Sequence, residues 1–133
     1  MNIDWDELRR QALSASEAAY APYSRFHVGA ALLAEDGRIF TGCNVENASF
    51  GLTVCAERTA VFSAVTARAL RFRALVVVTS NPAPVTPCGA CRQVLHEFQP
   101  DFEVRCYGQS GAELITSAAK LLPHAFIASD FTG

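Results

Sequence analysis

The chain has 133 residues, of which 50% are hydrophobic and 18% are charged. This length predicts a single domain, residues 1–133, whose core is large enough to need no disulfides, and the composition excludes a disordered chain. The formal net charge is −2 and the cationic residues form no basic run. Both features argue against a nucleic-acid partner, because such proteins usually carry a basic excess. We therefore expect a small, roughly neutral ligand.

The sequence also indicates the compartment. Its apolar stretches are far shorter than the ~20 residues that a membrane span needs. The acidic N-terminal segment lacks the basic and apolar regions of a signal peptide. The cysteines are odd in number, namely Cys43, Cys55, Cys88, Cys91 and Cys106. An odd count without an export signal favours reduced thiols, which act more often as metal ligands or catalytic groups than as disulfides. We expect a cytoplasmic protein with no membrane partner.

The hydrophobic periodicity predicts helix, hairpin, helix, strand, helix and strand, in that order. Asp4 and Glu7 form a capping box, and helical spacing of apolar residues follows to about residue 19. The further predicted elements are strands at 28–34 and 39–43 joined by an Asp-Gly turn, a helix from 55 to about 68, a strand at 74–79, a helix from 89 to about 98, a strand at 103–107 and a short helix at 117–122. This order indicates one α/β sandwich with a mixed sheet and helices on both faces.

Two short segments carry residues suited to metal chemistry. Cys55 is followed two residues later by Glu57, and Cys88 and Cys91 form a C-x-x-C motif after a proline. Each segment is predicted to begin a helix, where free N–H groups and the helix dipole lower the pKa of a thiol. Three thiolates suit zinc and leave the fourth tetrahedral position to a water that ionises near neutral pH. Glu57 is not needed as a ligand and is well positioned to move a proton beside the metal.

Such a site accumulates negative charge. Zinc with three thiolates and a hydroxide carries a formal charge of −2, which helix N-termini and a nearby cation would offset. Arg58 is the candidate for that cation. The alternative interpretation of Arg58 is a solvated arginine on the helix surface.

The cysteines have other possible roles. The C-x-x-C motif could be a thioredoxin-like redox pair, although the preceding proline and the absence of a preceding tryptophan weaken this interpretation. A closed structural zinc site would need a fourth protein ligand. The candidates for that ligand are Cys43, Cys106, His27, His96 and His124. Both of these cysteines fall within strand patterns that favour buried core thiols. The spacing alone leaves catalytic and structural zinc equally open.

Segments 55–60 and 87–93 together resemble the small, homotetrameric, zinc-dependent cytidine deaminases. Segments 20–31, 42–48 and 121–126 resemble further parts of that family in the same order, so that the resemblance covers nearly the whole chain. It implies a three-layer α/β/α sandwich with a mixed sheet of about five strands. It also implies a homotetramer.

The resemblance assigns roles to the metal-binding segments. It implies that Cys55, Cys88 and Cys91 hold one zinc ion per chain and that Glu57 shuttles protons. Arg58 is the cation expected beside these ligands.

The resemblance also implies a nucleoside-binding site. Asn44 and Glu46 would hydrogen-bond the ribose 3′-hydroxyl, and Ala56 would meet the pyrimidine through its backbone. Phe26 would line the nucleoside pocket, and Phe126 would stack on the base from a neighbouring subunit. The alternative for both phenylalanines is ordinary core packing.

The implied reaction is the hydrolytic deamination of cytidine and 2′-deoxycytidine to uridine and 2′-deoxyuridine, with release of ammonia, by a zinc-bound hydroxide in pyrimidine salvage. A deaminase of another small molecule, such as blasticidin S, is disfavoured by residues 44–47, which suit a reader of ribose. A deaminase that edits polynucleotides is disfavoured by the net charge of −2. A non-enzymatic module stabilised by zinc would leave Glu57 without a purpose.

Overall fold

The computed structural model describes residues 2–132. Its elements in chain order are α1 (Trp5–Glu17), β1 (Val28–Ala34), β2 (Ile39–Cys43), α2 (Ala56–Thr66), β3 (Phe72–Thr79), α3 (Gly89–His96), β4 (Glu103–Tyr107), β5 (Glu113–Ser117), α4 (Ala118–Leu121) and α5 (Ser129–Thr132). A single 3-10 turn, Phe50–Leu52, lies between β2 and α2. No helix in the described part of the chain combines the length and the apolar character that crossing a membrane requires.

The five strands form one mixed sheet in the order β2-β1-β3-β4-β5. The pairs β1–β2, β1–β3 and β4–β5 are antiparallel, and β3–β4 is parallel. A parallel pair needs a crossover connection, and α3 lies within this one. The mixed sheet of five strands expected from the family resemblance is confirmed.

The helices cover both faces of the sheet. Leu32 and Val77 belong to a cluster on one face that includes Val61 of α2 and Leu95 of α3. Ala31 and Val76 belong to a second cluster, on the opposite face, that includes Leu8 of α1. Because successive strand residues point to opposite faces, a strand that is covered on both sides is apolar at every position. The fold is therefore the expected three-layer α/β/α sandwich.

The local signals of the N-terminal half agree with the structure except for one half of the capping box. The Asp4 carboxylate accepts a hydrogen bond from the Glu7 N–H at 3.1 Å and so caps α1. The Glu7 carboxylate instead accepts from Arg10 on the next turn, so that only half of the capping box forms. Gly37 adopts φ of +96° in the β1–β2 turn, as the Asp-Gly signal predicts.

Two elements were not predicted from the sequence pattern. β5 is an edge strand whose first three residues are exposed, including Leu114 and Ile115. β5 is held in an extended conformation by its pairing with β4, and its own hydrophobic pattern is too weak to predict a strand. The predicted helix at 117–122 is shorter, because Ser117 ends β5 and caps α4 by accepting from the Lys120 N–H. α5, with four residues, is too short to show a helical period.

Two glycines let helices lie directly on the sheet. A Cβ atom at Gly29 of β1 would lie 1.9 Å from the Ala12 carbonyl oxygen of α1. A Cβ atom at Gly42 of β2 would lie 2.4 Å from the Ala60 nitrogen of α2. Both distances are far below van der Waals contact with backbone atoms that cannot move without the helix. Gly42 therefore fixes how closely α2 approaches the sheet.

We expect Gly42→Ala to lower the free energy of unfolding by about 1–3 kcal/mol or more, because an inserted methyl group forces α2 away from β2. Gly51→Ala is the matched control, since a Cβ atom at Gly51 has no neighbour within 4 Å. Thermal and urea unfolding of both variants measure the difference. Equal stability of the two variants would contradict the close contact at Gly42.

Candidate active site

Two helix N-termini bring three cysteines together. Cys55 is the N-cap residue of α2, Cys88 is the N-cap residue of α3, and Cys91 lies buried in the first turn of α3. Neither N-cap thiol makes a capping hydrogen bond to its own helix. Instead the three sulfur atoms lie within 4.8 Å of one another, and the Sγ atoms of Cys55 and Cys88 are 3.7 Å apart.

The geometry of this cluster fits zinc. A tetrahedral zinc ion with Zn–S bonds of ~2.3 Å holds its sulfur ligands about 3.8 Å apart. The 3.7 Å separation of Cys55 and Cys88 therefore needs no rearrangement of these two residues. Within residues 2–132, no histidine, carboxylate or further cysteine joins the group as a fourth ligand. This arrangement is typical of catalytic rather than closed structural zinc.

Without a metal, the pKa values of the Cys55 and Cys91 thiols shift in opposite directions. Hydrogen bonding to Cys91 lowers the pKa of the Cys55 thiol to about 5, and the contact with Arg58 acts in the same direction. The same hydrogen bond to Cys55 raises the pKa of Cys91, and burial raises it further. A bound dication has the opposite effect and lowers the pKa of Cys91, because metal binding releases the protons of its thiol ligands.

Arg58 is partly buried, and its guanidinium lies against the thiol cluster. Its Nη2 atom is 3.5 Å from the Cys55 Sγ atom and 3.5 Å from the Thr53 carbonyl oxygen. Its Nε atom is buried and has no hydrogen-bond partner within residues 2–132. The positively charged guanidinium therefore lies directly beside the Cys55 thiol, where it favours the thiolate form.

Glu57 follows Cys55 in the first turn of α2 and is only 4% exposed. Burial raises the pKa of its carboxyl to about 7, and the negative charge of Cys55 raises it in the same direction. A carboxyl with such a pKa both accepts and releases a proton readily near neutral pH. The structure thus places a buried, titratable carboxyl beside the thiol cluster.

A cavity of about 210 Å³ opens onto Glu57 and the cluster. It is lined by Phe26, Val28, Asn44, Glu46, Thr53, Cys55, Ala56, Glu57, Val77, Thr79, Val85, Thr86 and Cys88. The structure thus brings together every predicted substrate-binding residue except one. Phe126 does not line this cavity, and its side chain is 60% exposed.

Two polar residues that line the cavity, Asn44 and Glu46, are held by other groups of the protein. The Asn44 amide accepts a hydrogen bond from the Val28 N–H at 2.9 Å and donates one to the Phe26 carbonyl at 2.7 Å. The Glu46 carboxylate accepts from the Tyr23 N–H at 2.9 Å, and from both the N–H and the hydroxyl of Ser24. These contacts, led by the Ser24 hydroxyl, lower the pKa of Glu46. Each group retains unused hydrogen-bonding capacity for a ligand.

Sequence reasoning missed Arg92, which holds the loop before the C-x-x-C motif. Its guanidinium donates to the Pro87 carbonyl at 2.7 Å, the Leu121 carbonyl at 3.1 Å and the Thr86 hydroxyl at 2.9 Å. The one available signal was an arginine directly after the motif, because a planar guanidinium can serve several carbonyls at once.

The neighbouring Gln93 holds the C-terminal segment. Its amide donates to the Phe126 carbonyl at 2.7 Å and accepts from the Phe126 N–H at 3.3 Å. No local pattern identifies these partners, because 33 residues separate them in sequence.

Comparison with known proteins agrees with this geometry. The model of the family described as "Cytidine and deoxycytidylate deaminase zinc-binding region" matches residues 4–106, which include all three clustered cysteines and Glu57. The chain belongs to this deaminase family. Membership makes it a zinc-dependent hydrolase, and the cluster formed by Cys55, Cys88 and Cys91 can hold one metal ion.

Relatives of the deaminase family match nearly the whole chain. A cytidine deaminase of Sporosarcina psychrophila is 49% identical over 131 residues, covering 98% of this chain and 96% of the relative. The crystal structure of a cytidine deaminase from Burkholderia pseudomallei superposes with a TM-score of 0.89 at 51% identity, covering 93% of this chain and 100% of the other. That from Mycobacterium tuberculosis superposes with a TM-score of 0.82 at 42% identity, covering 95% and 99%.

We expect Cys88→Ala to lose most of its zinc, from about one ion per chain, because the two remaining thiols bind far less tightly than three. Cys88 is exposed, so the change leaves no cavity in the core and folding should be retained. Metal analysis after dialysis against a chelator, with circular dichroism, measures both. The control is Cys43→Ala, which removes a thiol outside the cluster and should keep its zinc. Full occupancy in Cys88→Ala would assign the ligand elsewhere.

Proposed function

We propose that the chain catalyses the hydrolytic deamination of cytidine and 2′-deoxycytidine to uridine and 2′-deoxyuridine, with release of ammonia. The observation that carries this proposal is a buried carboxyl, Glu57, in the wall of a small cavity that also contains Cys55 and Cys88. Relatives that match almost the full length of the chain are themselves named cytidine deaminases, which supports this choice of substrate.

The charge of the cavity favours a nucleoside over a nucleotide. Its polar wall contains the carboxylate of Glu46 and no lysine or arginine side chain among the described residues. A 5′-phosphate would meet negative charge without a cation to pair with it. A neutral nucleoside carries no such penalty, and its ribose hydroxyls can donate to Glu46 and Asn44. We assign these two residues to the 3′-hydroxyl.

The other substrate contacts follow from the walls of the cavity. The backbone of Ala56, at the start of α2, offers hydrogen bonds to the pyrimidine, since the N–H groups of a first helical turn have no partner within the helix. Phe26 contributes an apolar wall. These contacts orient C4 of the base toward the thiol cluster.

Glu57 carries the protons of the reaction. Cys55, Cys88 and Cys91 would hold zinc, which would supply an activated water for attack on C4. The Glu57 carboxylate accepts a proton from the attacking water and delivers it to N3 of the ring. It then takes the remaining proton of that water from the new hydroxyl on C4 and transfers it to the exocyclic amine, so that the C4–N bond breaks, the C4 carbonyl forms and ammonia leaves. One carboxyl thus acts first as base and then as acid.

Glu57→Gln is expected to lower kcat by about 10²–10⁴-fold or more, because the amide cannot carry a proton between these atoms. The change is nearly isosteric, so zinc content and the melting temperature should stay close to those of the unmodified chain. The loss of ultraviolet absorbance on adding cytidine measures kcat. Activity within tenfold of the unmodified chain would contradict the role of Glu57.

We further propose a homotetramer in which Phe126 completes a neighbour's site. Phe126 is exposed beyond its own cavity, and its backbone is fixed by Gln93. α2 also exposes Phe62 and Val65, an apolar surface that association would cover. Closed symmetry is the usual form of such assemblies. The role that fits this chemistry is pyrimidine salvage in the cytoplasm.

Co-expression tests the shared site. Glu57→Ala and Phe126→Ala chains are each impaired alone, but mixed assemblies contain sites with an intact Glu57 from one chain and an intact Phe126 from another. Random mixing should restore about a quarter of the sites. Activity no greater than the sum of the two separate variants, in assemblies shown to be mixed, would restrict Phe126 to its own subunit.

A further inference from the structure

Thr79 is the last residue of β3 and lies in the wall of the cavity. Its side chain shares a face of the strand with Val77, two residues earlier, and its partner in the β1–β3 register is Val28. Both valines also line the cavity. This wall is therefore apolar except at Thr79.

The hydroxyl of Thr79 is unusual in this setting. The residue is 2% exposed, and its Oγ1 atom is buried without a hydrogen-bond partner in residues 2–132. The Thr79 backbone carbonyl, by contrast, accepts from the Gln109 side chain at 2.7 Å. A buried hydroxyl without a partner destabilises a fold, and valine would fill the same volume without that cost.

Two other polar residues of the cavity wall, unlike Thr79, have hydrogen-bond partners for their side chains. Asn44 and Glu46 are each held by backbone or hydroxyl partners, as described above. β3 otherwise continues as an apolar run, Leu75 to Val78, which a valine at position 79 would extend. These contacts give no structural reason for the hydroxyl, which lies in the wall of the cavity where a polar ligand can supply the missing partner.

We propose that the Thr79 hydroxyl forms a hydrogen bond with the bound pyrimidine nucleoside and contributes to its affinity. Rotation about the Cα–Cβ bond exchanges the hydroxyl and methyl positions of threonine between staggered rotamers, so that the oxygen turns toward the ligand without backbone movement. The hydroxyl is a binding group of the ground state and takes no part in proton transfer. This inference rests on the proposed function, because it requires a nucleoside in the cavity.

The test compares Thr79→Val with Thr79→Ser in the intact zinc-loaded protein. Thr79→Val keeps the shape and removes the hydroxyl, so we expect KM for cytidine and Kd for uridine to rise about 3- to 10-fold, with kcat within twofold of the unmodified chain. The melting temperature should stay equal or rise, since an unpaired polar atom is removed. Thr79→Ser keeps the hydroxyl and should retain the affinity, even if it loses some stability.

The control is Thr116→Val in the edge strand β5, which removes a strand hydroxyl from a residue that does not line the cavity and should leave KM and Kd unchanged. Calorimetry with uridine reports binding independently of turnover. Unchanged affinity in Thr79→Val, or the same loss of affinity in Thr79→Ser, would overturn the inference while the proposed function stands. If the unmodified chain neither deaminates cytidine nor binds uridine, the proposed function fails and the inference fails with it.

Discussion

The convergence of two helix N-termini on one small volume governs this structure. Three sulfur atoms within 4.8 Å of one another concentrate negative charge as soon as they ionise. The protein offsets that charge with Arg58, with the partial positive charges at the starts of α2 and α3, and with the dication that the family binds. The same electrostatics acts on Glu57, since burial and the negative charge of Cys55 both raise the pKa of its carboxyl, to about 7.

The rest of the fold holds these two helix N-termini in place. Gly42 lets α2 lie directly against β2, and the Thr59 hydroxyl of α2 donates to the Cys43 carbonyl at 2.9 Å at the end of that strand. On the other side, Arg92 fixes the loop that leads into α3. The three cysteines therefore belong to two helices whose N-terminal ends are held by separate sets of contacts. Such anchoring holds the ligand geometry before any metal arrives, which lowers the ordering cost of binding.

How far the sequence predicts the structure depends on the distance over which each signal acts. The cysteines and Glu57 lie in two short motifs at helix starts, so local spacing together with the family resemblance identified them. The Asp36-Gly37 turn and the apolar run of β3 are local signals as well. β5 was not predicted because its order comes from pairing with β4, and nothing within the strand itself reports that pairing.

The residues around the cavity also differ in whether the sequence could identify them. Phe26, Asn44 and Glu46 were identified through the resemblance, since no periodicity places three separate residues in one wall. The contacts of Arg92 and the unpaired hydroxyl of Thr79 depend on segments that meet only after folding. Residues of this kind become visible when every buried polar atom is matched with a partner.

Adjacent residues of α3 join the thiol cluster to the C-terminal segment. Arg92 binds the Leu121 carbonyl and Gln93 binds the Phe126 backbone, immediately after the ligand Cys91. Local opening of α3 therefore breaks the anchors of residues 121–126 and displaces a zinc ligand in the same event. The two regions form one cooperative unit, so protection of their amide hydrogens against exchange should rise and fall together with metal occupancy.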